Sequence, residues 1–210
     1  MNMKQKQIKI LLVIAISANI SAFSQISSGQ DFKPVSQNML NNPDPEDWLM
    51  WRGSYENWGY SPLTEINQDN VDQLRLAWSW EFAPAAPGSN GMQVEPTVYD
   101  GVIYIRHSNE KYSAHNAATG DLIWQYSRTL ALEVAGYETR LTVHRGRGVF
   151  IYEDKLISHS TDGMLFALNP RDGSLIWEVA MQDFRSGQQP SGAPVAYGGS
   201  LVVPYNCTAW

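Results

Sequence analysis

After residue 45 the chain alternates short runs of Val, Ile, Leu, Tyr and Trp with Gly, Asp and Asn, and almost no apolar run is long enough for a three-turn helix. This pattern predicts short antiparallel strands joined by tight turns. Residues 96–99 predict a strand, Asp100-Gly101 a two-residue hairpin turn and residues 102–105 the next strand. Residues 107–110 turn again into a third strand over 111–116, and 118–121 turn into a fourth over 122–126. The same order returns over residues 148–180, with turns at Glu153-Asp154, 161–163 and 171–173.

The two copies share a phrase, AHNAATGDLIW at 114–124 and ALNPRDGSLIW at 167–177, offset by 53 residues without a gap. A third copy opens at residue 192, where Tyr197-Gly198-Gly199 matches Tyr99-Asp100-Gly101. Upstream, residues 74–80 (LRLAWSW) read as a lone fourth strand. Four strands of this length cannot bury both faces alone, so copies must stack, and a β-propeller is the usual solution. Trp124 and Trp177 are then expected to wedge between blades, with Ala114 and Ala167 small beneath a neighbouring indole and Gly120 and Gly173 permitting the turns. Two unrelated hairpins with core tryptophans are the plainer alternative.

Composition and charge add an address. Lys4, Lys6 and Lys9 precede an apolar run over residues 10–23 and the small-residue site Ala22-Phe23-Ser24, the pattern of a signal peptide over residues 1–24. The run is short and polar-interrupted for a retained membrane anchor, the competing reading. Removing those three lysines leaves 12 basic against 21 acidic residues, a net charge of −9 in place of −6, which argues against nucleic acid as a partner. The single cysteine, Cys207, excludes an internal disulfide framework. Residues 25–45 are polar, proline-bearing and aperiodic, and predict a flexible lead to a folded part over 46–210. The four histidines show no metal-binding spacing, and the two at turn edges read as surface residues.

The stretch DWLMWRGSYENWGYSPLTEINQDNVDQLRLAWSW at 47–80, followed by EPTVYDGVIYI and the two tryptophan phrases, resembles the start of the pyrroloquinoline-quinone-dependent alcohol dehydrogenases. The resemblance implies an all-β, eight-bladed propeller with tryptophan-docking motifs, of which about two and a half blades lie here (about 93–127, 148–180 and 192–210). It also implies a periplasmic enzyme oxidising an alcohol or aldose, with calcium or a lanthanide beside the quinone and an electron acceptor such as a cytochrome c. The catalytic base and most metal ligands of that family fall in later blades, so no catalytic residue is expected in this segment, which reads as the inactive front end of a longer protein. The tryptophan phrase also occurs in non-catalytic propeller scaffolds, the alternative from another functional class.

For the cofactor site the resemblance implies Arg147 as the guanidinium partner of a quinone carboxylate, against the plainer reading of Arg145 and Arg147 as exposed charges. Gln93, or Glu95 in a shifted register, takes the place of an acidic contact. Ser160 with Thr161, and Ser191, take the places of hydroxyl contacts; each alone also reads as a turn former. Leu141 and Thr142 stand where many relatives have vicinal cysteines. The family's first metal-ligand glutamate aligns with Ala209 or Trp210, leaving Asn206 as a weak candidate ligand or a turn asparagine.

Overall fold

In the computed structural model, residues 32–81, 93–108, 110–130, 148–183, 185 and 188–207 are described. The expected signal peptide, Arg147, Leu141, Thr142, Ala209 and Trp210 lie outside them. The first sheet has order β1-β2-β3-β4, from β1 (Thr97–Tyr99), β2 (Val102–His107), β3 (Lys111–Asn116) and β4 (Leu122–Ser127), each antiparallel to the next. The second repeats it with β5 (Phe150–Tyr152), β6 (Lys155–His159), β7 (Met164–Leu168) and β8 (Leu175–Ala180). These are two propeller blades. Both carry a register shift at the same place in the phrase, beside Ala114 in β3 and Ala167 in β7.

A third unit begins with the hairpin of β10 (Val195–Tyr197) and β11 (Ser200–Val202), turned by Gly198-Gly199. A short ladder between β9 (Gln188–Pro190) and β12 (Tyr205–Cys207) flanks it. At Asp100-Gly101 both turn residues have positive φ, 49° and 71°, as a type I′ hairpin requires.

Trp124 docks between blades as expected, but its close contact falls on glycine. Trp124 in β4 donates Nε1–H to Pro170 O (2.8 Å) in the β7–β8 turn, and its six-membered ring covers Gly173. Trp78 repeats the arrangement one step earlier, donating to Ala117 O (2.9 Å) and covering Gly120. Residues 74–80 do this without forming a strand, because no sheet neighbour stands beside them among the described residues. Ala114 and Ala167 are fully buried opposite the tryptophan of their own blade.

Residues 32–45 differ from the flexible lead expected of them. Ser36 caps a five-residue helix, α1 (Gln37–Asn41), accepting from Met39 N–H, and Val35 and Leu40 are fully buried. Val35 exchanges both backbone hydrogen bonds with Glu153 and Trp48 does the same with Val98, so the segment adds to the free edges of the inner strands. Gln37 accepts from Gly198 N–H (3.1 Å), and Tyr55 donates to Ala196 O. One polar-looking segment thereby clips all three blades. Its few apolar residues suffice because each inner strand offers an unpaired edge.

Candidate functional site

Antiparallel order places the start of β1, the β2–β3 turn and the end of β4 at one end of the first blade. In the second blade the start of β5, the β6–β7 turn and the end of β8 share that end, and Ser191 leads into β10 in the third. Cross-blade contacts confirm that these ends lie together. Thr97 donates Oγ1–H to Val149 O (2.7 Å), and Arg128 after β4 reaches Asp162 (3.0 Å) and Glu178 (2.6 Å).

The centre of this end is a buried polar network that sequence reasoning missed. Arg106 and Glu110 form an ion pair at 3.1 Å, with both side chains almost wholly buried. Glu110 Oε1 also accepts from Thr161 Oγ1–H (2.6 Å) and Thr161 N–H (3.1 Å) in the neighbouring blade, and Oε2 accepts from Tyr112 (3.0 Å). Arg106 Nη1 meets His159 Nδ1 at 3.3 Å, and His159 Nε2 meets Gly192 O at 2.6 Å. A guanidinium only donates and a carbonyl only accepts, so Nδ1 accepts, Nε2 carries the proton and the ring is neutral. Burial, then Arg106, pushes the His159 pKa down to about 3. For Glu110 burial alone would raise the pKa, but Arg106 and the two bonds from Thr161 outweigh it and hold the carboxyl below its ordinary value.

A second buried relay runs through the first blade. His115 donates Nδ1–H to Gly120 O (3.2 Å), and the Ser113 hydroxyl stands between His115 Nε2 (2.8 Å) and His107 Nε2 (2.6 Å). His107, His115 and His159 are all buried, so the turn-edge positions expected at the surface are interior, and His144 lies outside the described residues. The reason is cover from outside their own sheet: Trp80 packs edge-on against His115 at 4.7 Å, and His159 lies between Arg106 and Gly192 of the adjoining blades.

The structure places the sequence candidates at this end in different states. Glu95 accepts from Trp48 Nε1–H and from Arg52 N–H (2.9 Å), anchoring the amino-terminal segment. Ser160 is fully buried, with its hydroxyl on Asp162, and the Thr161 hydroxyl is engaged by Glu110. Gln93 is exposed and Ser191 half-buried, and neither side chain has a hydrogen-bond partner among the described residues. Asn206 pairs through its backbone with Gln189. Among the described residues no group of three or more His, Cys, Asp or Glu is arranged to hold a metal ion.

A family model described as the glucose/ethanol/alcohol dehydrogenase β-propeller domain, PQQ, matches residues 48–184. The chain belongs to this quinoprotein propeller family. It is 30% identical to the dehydrogenase subunit of the quinone alcohol dehydrogenase of Gluconobacter oxydans, over 95% of this chain and 26% of the relative. It is 29% identical to the quinoprotein alcohol dehydrogenase PedH of Pseudomonas putida, over 91% of this chain and 31% of the relative. Among solved structures, the quinohemoprotein alcohol dehydrogenase ADHIIG of Pseudomonas putida superposes with a TM-score of 0.70 at 27% identity, covering 85% of this chain and 26% of that one. The chain thus spans roughly a quarter to a third of the length of the relatives it matches.

The quinoprotein reading can be tested on the donor set. A planar tricarboxylate needs donors and no uncompensated anions nearby. Glu110 and Asp162 are neutralised by Arg106 and Arg128, and the Gln93 amide and Ser191 hydroxyl remain available as donors. Glu95, held by the Trp48 indole N–H and the Arg52 N–H, is a carboxylate at this end with no ion pair among the described residues, so the fit rests on Gln93 and Ser191.

Proposed function

We propose that this chain is the front part of an exported quinoprotein dehydrogenase that oxidises an alcohol or an aldose with pyrroloquinoline quinone and a calcium or lanthanide ion, and passes electrons to a periplasmic acceptor such as a cytochrome c. Export through residues 1–24 and the periplasmic address rest on the lysine-led apolar run. The observation that carries the reading is the family match across residues 48–184, borne by blades whose Trp78–Gly120 and Trp124–Gly173 contacts repeat in register.

In this reading Ser191 and Gln93 donate to cofactor carboxylates and Arg147 supplies the guanidinium. Ser160 and Thr161 brace the same end from behind, through Asp162 and Glu110. Bound there, the quinone would supply the two-electron acceptor for alcohol oxidation. The chain's own residues bind and orient it, while the Arg106–Glu110 and Arg128–Asp162 pairs keep two carboxylates from repelling an anionic ligand.

Reconstituting the complete protein with pyrroloquinoline quinone, and with Ca²⁺ or a lanthanide in parallel, tests this. Dye-coupled oxidation of a primary alcohol or an aldose is expected with at least one of the metals. A folded protein inert with both metals towards both substrate classes would contradict the proposal.

A further inference from the structure

We propose that His159 is a positioning residue for the cofactor end of the blades, fixing the place of the Ser191 hydroxyl through the Gly192 carbonyl. This rests on the quinone-binding reading above. Ser191 leads into the third blade, and its backbone N–H donates to Pro204 O (3.1 Å). A second restraint on this peptide stretch comes from the second blade, where His159 Nε2 lies 2.6 Å from Gly192 O. His159 is held in turn from the first blade, by Arg106 on Nδ1, and Arg106 is held by Glu110.

The relay Glu110, Arg106, His159, Gly192 therefore crosses three blades and ends one residue from Ser191. Each member has its donor and acceptor roles fixed. The carboxylate can only accept, the guanidinium can only donate, and the imidazole left between guanidinium and carbonyl must present a lone pair on Nδ1 and a proton on Nε2. The ring is almost wholly buried and Gly192 half-buried, so losing the Nε2–H would take from the Gly192 carbonyl the partner that fixes its direction. The 192–193 peptide, which bears that carbonyl, would then move to find one, carrying the adjoining Ser191 with it. A ligand-facing group held by a hydrogen-bonded supporting residue is a common means of fixing geometry.

The test is equilibrium titration of the complete protein with pyrroloquinoline quinone in Ca²⁺, followed by tryptophan quenching. His159→Phe, which keeps a buried ring and removes the donor, is expected to weaken binding about tenfold, the usual scale for a supporting residue. His159→Gln, whose amide offers both a donor and an acceptor, is expected to stay within about threefold of wild type on the same scale. Ser191→Ala should also weaken binding, and the double variant His159→Phe/Ser191→Ala should be no weaker than the weaker single one, because both changes act on one contact.

Unchanged affinity in a folded His159→Phe protein, or fully additive losses in the double variant, would overturn the positioning role and leave the quinone reading intact. Wild-type protein that binds no quinone would overturn both. If His159→Phe does not fold, ¹⁵N-His-labelled wild type decides: a His159 ring resonance of the neutral Nε2–H form that moves on quinone addition is expected, and one that does not respond would overturn the proposal.

Discussion

Trp124 covers Gly173 of the next blade so closely that a Cβ built on the glycine would fall 2.5 Å from the indole Cε3. The glycine also has φ +72°, a conformation that L side chains rarely adopt. Gly173→Ala therefore combines backbone strain with a clash against a ring that is itself hydrogen-bonded in place. We expect a loss of about 2–4 kcal/mol in stability. Gly101 has φ +71° with nothing within 4 Å of its added Cβ, so Gly101→Ala should lose only about 1 kcal/mol. Thermal unfolding of the two variants side by side separates the two contributions, and equal losses would contradict the docking geometry.

Trp124→Phe removes the Nε1–H donated to Pro170 O and leaves that carbonyl without this partner at a blade interface. A loss of about 1–3 kcal/mol is expected, measured by chemical denaturation. Trp177 is half-buried, and Trp177→Phe is expected to lose less than Trp124→Phe.

Arg128 ties the end of β4 to Asp162 and Glu178 in the second blade and lies over the Phe166 ring. Arg128→Met keeps much of the packing and removes the charge, leaving Asp162 uncompensated beside buried Ser160. We expect a loss of about 1–3 kcal/mol, with Glu178→Gln nearly neutral because that carboxylate is more exposed.

Acid should weaken the fold before its carboxylates titrate. Burial, then His115 and Lys111, pushes the His107 pKa down to about 4, and His159 is pushed down to about 3. An unfolded histidine titrates near about 6.5, so below that pH the unfolded chain takes up protons that the folded one refuses. Their stabilising contribution is full above about pH 6.5 and is lost as pH falls towards 4 and then 3. The thermal midpoint should decline over that window, and His159→Gln should flatten the decline. A midpoint constant from pH 7 to 4.5 would contradict the buried neutral rings.

The blades were legible in the sequence because their determinants are local. Asp100-Gly101, Gly120 and Gly173 sit where the backbone needs positive φ, and the strands between them are short and apolar. The clip over residues 32–45 was not legible, since Val35 and Leu40 are scattered among polar residues and prolines and gain burial only from edges supplied far along the chain. Nor was the Arg106–Glu110–His159 network. Its partners lie in different blades, and a sheet covered on both faces gives no alternation by which to tell a buried arginine from an exposed one. Of the candidate cofactor contacts, the shared blade end followed from repeat order. Which hydroxyls are already engaged, Ser160 by Asp162 and Thr161 by Glu110, depends on side-chain pairing that no spacing encodes.

The most direct measurement is the affinity of the complete protein for pyrroloquinoline quinone, with Ca²⁺ present, in wild type, Arg147→Ala and Ser191→Ala. Saturable binding of one quinone per chain, weakened by about tenfold or more in each variant through loss of a hydrogen bond to a charged group, is the expected result. No saturable binding, or binding indifferent to both substitutions, would contradict a quinone site at this end of the blades.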